Sequence, residues 1–93
     1  MITAASKHPD SHKWYYIVWP EEELDGASIS SAVWTPDTAD VIVEQSQISL
    51  NIVGVLLSGG VAGDTVEVVN QITTSSGEVL HETLIIPINI TGH

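Results

Sequence analysis

Two packed β-sheets are the architecture this sequence predicts, and three observations predict it. Val and Ile dominate the apolar residues and Thr and Ser are plentiful, a mixture that suits half-buried strands. Over several stretches apolar residues recur at every second position, the period of a strand with one face covered. Turn-forming clusters separate those stretches, so strands follow one another at intervals of about 8–12 residues.

Residues 1–12 are polar and contain Pro9, and they read as a flexible arm with little structure of its own, or one that orders against a neighbouring subunit. Residues 13–93 read as a single β-sandwich domain, with His93 as its terminus. That domain opens on Lys13–Trp19, KWYYIVW, which holds four of the five aromatic residues. In a strand Trp14, Tyr16 and Val18 share one face and Tyr15, Ile17 and Trp19 the other, so both faces are apolar. No helical segment is available to cover a second face. The rings therefore either plug the ends of the sandwich or meet a partner, and Trp and Tyr favour interface centres. Trp14, Tyr15, Tyr16, Trp19 and Trp34 are the candidate interface residues.

Pro20 to Gly26, PEEELDG, has Pro first, acids next and Gly last, the order of a single helical turn. Ala27–Thr35 reads as a strand, and Pro36-Asp37 as a turn. Val41–Val43 reads as a short strand and Gln47–Leu57 contains another, with Ile48, Leu50 and Ile52 in phase. The phase then slips to Val53, Val55 and Leu57, which places a bulge or break near Gly54.

Ser58-Gly59-Gly60 and Ala62-Gly63-Asp64 fall within seven residues, a density of turn formers no helix survives. Val66, Val68 and Ile72 then share a face with Asn70, a polar residue on the inner side. The turn Ser75-Ser76-Gly77-Glu78 returns the chain through Leu80, Leu84, Ile86 and Ile88, with His81 and Thr83 facing out. Pro87 lacks an amide hydrogen, so this strand lies at an edge or stops there. The count is about seven short strands, the rhythm of an all-β, immunoglobulin-like antiparallel sandwich.

Composition narrows the function. A chain of 93 residues is one domain and buries roughly 60–65% of its unfolded surface. Without Cys it has neither a disulfide framework nor thiolate chemistry. Lys7 and Lys13 face twelve acids, and a formal charge of −10 excludes binding nucleic acid by phosphate neutralisation. The same charge disfavours an anionic membrane surface. The longest apolar run, Ile52–Leu57, is six residues, against about 20 for a membrane span. Nothing in Met1–Ala5 is long enough for a secretory apolar region.

Chemistry finds no foothold. His8 and His12 stand four apart, but Pro9 between them denies the helix that would align them on a metal. Glu21–Glu23 with Asp64 lacks the alternating acids of a calcium loop. No Ser sits in a G-x-S-x-G elbow, and Ser58-Gly59-Gly60 reads as a tight turn. The Gly-rich segment leads into a strand rather than a helix, so phosphate cradling is not expected. The expectation is no catalytic residue, no cofactor and no metal.

Beside this reading stands a resemblance. Ile29-Ser30-Ser31-Ala32-Val33-Trp34, then Leu57-Ser58-Gly59-Gly60-Val61-Ala62-Gly63-Asp64, then Val66, Val68, Asn70, Ile72-Thr73-Thr74, Gly77 and Leu80 resemble a family of small tailed-phage virion proteins. The likeness runs from Asp25 to Ile88, about two thirds of the chain. The family often begins with an Asp-rich, Leu-containing segment where this chain has KWYYIVW, and often carries an aromatic residue at the place of Val66. The resemblance implies a non-enzymatic structural protein of the virion with an immunoglobulin-like domain, of the fibre–tail adaptor type. It also implies other virion structural proteins as partners, in multiple copies per particle. Two other roles stay open on the residues: a capsid-surface decoration or head-fibre protein, and a carbohydrate- or cell-surface-binding module using Trp14, Trp19 or Trp34 as a sugar platform. The arm and the end at Thr91-Gly92-His93 suggest a complete short protein rather than a domain cut from an enzyme.

Overall fold

A computed structural model describes residues 1–91; Gly92 and His93 lie outside the described residues. Seven strands and one helical turn follow in order: β1 Ile2–Thr3, β2 Lys13–Val18, α1 Glu21–Leu24, β3 Ile29–Pro36, β4 Val41–Ser49, β5 Ile52–Gly59, β6 Thr65–Thr74 and β7 Val79–Pro87. They form a four-stranded sheet in the order β1-β7-β6-β3 and a three-stranded sheet in the order β2-β5-β4. All pairs are antiparallel except β1 with β7.

The core lies between the sheets. Val53, Val55 and Leu57 of β5 are fully buried, as are Val68 and Ile72 of β6, with Leu84 and Ile86 of β7 almost so. These are the alternate residues the period of two selects. Asn70 falls in the same row and is also fully buried. Its Oδ1 accepts a hydrogen bond from Trp19 Nε1 at 3.1 Å, which explains a polar residue in an apolar row. The β6–β7 hairpin runs in continuous register from Thr65↔Pro87 to Thr73↔Val79, as the sequence predicts, and β7 stops at Pro87.

The middle of the chain departs from the sequence reading. Val41–Val43 is the start of a nine-residue strand, β4, that runs to Ser49. Gln47–Leu57 is not one strand but the end of β4, a turn at Leu50-Asn51 and most of β5. The bulge lies between Val43 and Gln45, and β5 is regular through Gly54. Period two ran unbroken through Ile48, Leu50 and Ile52, and no Gly or Pro marks the turn. Leu50 makes it by adopting φ 56, a left-handed conformation that costs a non-Gly residue about 1–2 kcal/mol.

The first twelve residues, expected to be an arm with little structure of its own, lie along the sandwich. Ile2 and Thr3 pair with Leu84 and Ile85, and Lys7 bridges to Ile88. They cover an edge of β7 that would otherwise present unpaired backbone groups. The Met1 ammonium pairs with Glu82 and holds that carboxyl below its usual range. Lys7 is fully buried, and its Nζ donates to the carbonyls of Gly59 at 2.7 Å and His8 at 2.9 Å. One side chain thus ties the segment beside β7 to the end of β5 in the other sheet.

Burial pushes the Lys7 pKa below its ordinary 10.5, against the pull of Asp10. Burial also pushes Tyr15 up to about 12 from 10.0. Tyr15 donates its hydroxyl to the Ala5 carbonyl at 2.8 Å, a second tie on the same segment. The two shifts have opposite consequences. Just below pH 10.5 unfolded Lys7 holds a proton that the native side chain releases, so its contribution to stability rises with pH. Above pH 10 unfolded Tyr15 loses a proton that the native hydroxyl keeps, so stability is full below pH 10 and falls towards pH 12. The expected result is a melting temperature that drops between pH 10 and 12 in the parent and much less in Tyr15→Phe. Equal slopes in the two proteins would contradict it.

Candidate docking face

Among the described residues no pocket and no metal-holding cluster of His, Asp or Glu is present, so the surfaces carry what there is to read. His8 Nδ1 accepts from the Asp10 amide, and His81 lies on the outer face of the larger sheet, 3.1 Å from Gln71 Oε1. Glu21, Glu22 and Glu23 are exposed on α1.

The structure divides the five candidate interface residues. Tyr15 (6% exposed), Trp19 (3%) and Trp34 (7%) belong to the core. Trp19 joins Asn70, and its backbone holds Asn51. Trp34 is packed inside, with its Nε1 unpartnered among the described residues. Those three cannot meet a partner without opening the sandwich. Trp14 and Tyr16 face outwards from β2, Tyr16 with 52% of its surface exposed. The alternation in KWYYIVW therefore sends Tyr15 into the core with Ile17 and leaves Trp14 and Tyr16 on the surface.

Trp14 and Tyr16 are not loose. Their ring centroids are 6.1 Å apart and the planes differ by 14°, a stacked pair. In the ladder Trp14 pairs with Leu56, Tyr16 with Gly54 and Val18 with Ile52. A Cβ built on Gly54 would stand 2.7 Å from Tyr16 Cε1, so the ring lies directly on the glycine backbone. This is why a glycine interrupts an otherwise Val- and Leu-rich strand, where sequence reasoning placed a bulge. Across β5, the same side of β4 carries Ile42, Gln45, Gln47 and Ser49.

The face so built is aromatic and aliphatic at its centre and amide-rich at its margin. Glu44 is the single carboxylate on β2, β4 and β5, and Ser58 Oγ donates to it at 2.6 Å. The sheet's other charged residue, Lys13, stands at the start of β2 with its Nζ 5.7 Å from the centre of the Tyr15 ring. The outer side of the opposite sheet has no aromatic ring and mixes Glu67, Gln71, Thr73, His81 and Thr83 with Val33, Val69 and Ile85. Depletion of charge around clustered aromatic rings is the composition of an interface core.

A family model described as Podophage GP4 fiber-tail adaptor protein gp77 matches residues 7–87. No curated protein matches the chain.

Proposed function

We propose that this chain, which belongs to the podophage GP4 fiber-tail adaptor family and is a non-enzymatic structural component of the phage tail, joins its neighbours through the outer face of the β2-β5-β4 sheet. The observation that carries this is the stacked Trp14–Tyr16 pair, with Tyr16 lying on Gly54, in the middle of a face almost free of charge. Rigid aromatic rings bury much apolar surface at little cost in side-chain freedom, which is what a docking point needs. The partners are other virion structural proteins, and several copies act in each particle. A charge of −10 keeps free copies apart until a partner screens it.

The fold we assign is immunoglobulin-like. Strand order supports it: numbering β1 to β7 as A to G gives B-E-D in one sheet and G-F-C in the other, the neighbours of that sandwich. The difference is the first strand, which lies beside the last instead of beside the second. A first strand moved to that side runs parallel to its new neighbour, as β1 does with β7.

Hydroxyl-radical footprinting of assembled tails against the free chain tests the docking face. Trp14 and Tyr16 are expected to be protected on assembly while His81, on the other sheet, stays reactive. Undiminished oxidation of Trp14 and Tyr16 in the particle would sink the assignment.

A further inference from the structure

Leu50 is an anomaly that the fold does not explain. It adopts φ 56, a conformation that Asn takes far more readily than a bulky aliphatic residue. An Asn stands next to it, yet Asn51 is used otherwise: its Nδ2 donates to the Trp19 carbonyl at 2.9 Å, and its own carbonyl accepts from Trp19 N–H at 2.8 Å. Those two bonds fix the β4–β5 turn against the end of β2 and hold Leu50 out with 89% of its surface in solvent. Backbone strain clusters at functional sites, so an apolar side chain that is both strained and almost wholly presented points to a contact outside the domain.

Its surroundings narrow what that is. The cross-strand pair Val18 and Ile52, 61% and 37% exposed, lies at the base of the turn and extends the patch towards Tyr16. The tie between Trp19 and Asn51 brings the chain directly into α1, where Glu21, Glu22 and Glu23 are exposed, followed by Asp25. Both lysines are elsewhere: Lys13 pairs with Leu57 at the opposite end of β2, and Lys7 is bonded to Gly59 at the end of β5. This end of the sandwich is an apolar knob beside uncompensated negative charge.

We infer that the β4–β5 turn is a second contact point, in which Leu50, backed by Val18 and Ile52, seats in an apolar recess of a neighbouring tail protein rimmed by Lys and Arg. A second copy of this chain is a poor occupant, since it would bring its own acids to the same place and has no free cluster of bases to meet them. The inference rests on the adaptor reading but on different residues from Trp14 and Tyr16.

The test uses the full chain and tails assembled without it, followed by co-sedimentation. Leu50→Asn relieves the backbone and removes the knob. It is expected to melt no lower than the parent and to bind tails about tenfold or more weakly, whereas Leu50→Met retains most of the binding. Binding of the parent is expected to weaken with salt, and the triple variant Glu21→Gln, Glu22→Gln, Glu23→Gln to flatten that dependence. Unchanged binding by Leu50→Asn, or a lower melting temperature that makes Leu50 a structural residue, would overturn the proposal. So would self-association of the free parent that Leu50→Asn abolishes, or a salt dependence the triple variant leaves intact. Normal binding by Leu50→Asn beside lost binding by a Trp14 and Tyr16 variant would remove this contact and leave the sheet face standing.

Discussion

A chain carrying Trp14→Ala and Tyr16→Ala together is expected to fold and melt within a few degrees of the parent, yet to bind adaptor-free tails more weakly by several hundredfold or more. Both rings are on the outer face, Tyr16 half in solvent, so their loss leaves no cavity between the sheets. The cost to folding is their mutual stacking and the cover over Gly54, about 1 kcal/mol. At the centre of an interface the same rings are worth about 2 kcal/mol or more each, and 1.4 kcal/mol is tenfold in affinity. Tyr15→Ala is the control. It removes a core ring and the hydrogen bond to Ala5, and should cost roughly 3–5 kcal/mol of stability. Paired melting and co-sedimentation curves separate the two cases, and equal losses of stability in both variants would contradict the division of β2 into a core face and a docking face.

A large loss of stability is also expected from Gly59→Val. Gly59 has φ 79, and a Cβ there would stand 2.3 Å from the Asp40 carbonyl oxygen, a backbone atom that cannot swing aside. The left-handed conformation costs about 1–2 kcal/mol for an L side chain. The forced backbone shift costs about 1–3 kcal/mol more. The same shift moves the Gly59 carbonyl away from Lys7 Nζ and loosens the clamp on the first strand. A domain of this size holds about 5–14 kcal/mol in all, so a fall in melting temperature of roughly 10 °C or more is expected. Gly63→Ala isolates the conformational part, because Gly63 has φ 93 but nothing within 4 Å of a Cβ. If the two substitutions lowered the melting temperature equally, close approach to Asp40 would not be what fixes Gly59.

Much of this was legible in the residue order. The two faces of β2 separate in the structure as alternation separates them in KWYYIVW, and the β6–β7 hairpin follows from a period of two and a Ser-Ser-Gly-Glu turn. Three features were not, each for a physical reason. The β4–β5 turn hides inside Ile48, Leu50 and Ile52, because a leucine stands where a turn ordinarily has Gly or Asn. The docked first strand depends on carbonyl partners for Lys7, one of them 52 residues away, and a polar composition gives no sign of them. The division of the aromatic residues into core and surface depends on which sheet β2 joins and on Asn70 receiving Trp19, neither of which local pattern specifies.

A density map of the assembled tail, resolved well enough to place side chains, tests the central claim most directly. The account predicts that the outer face of β2-β5-β4 is covered by a neighbouring protein, with Trp14 and Tyr16 out of solvent and the threonine-rich face of the larger sheet turned to water. A map in which Trp14 and Tyr16 face solvent while the β1-β7-β6-β3 sheet makes the contacts would contradict it.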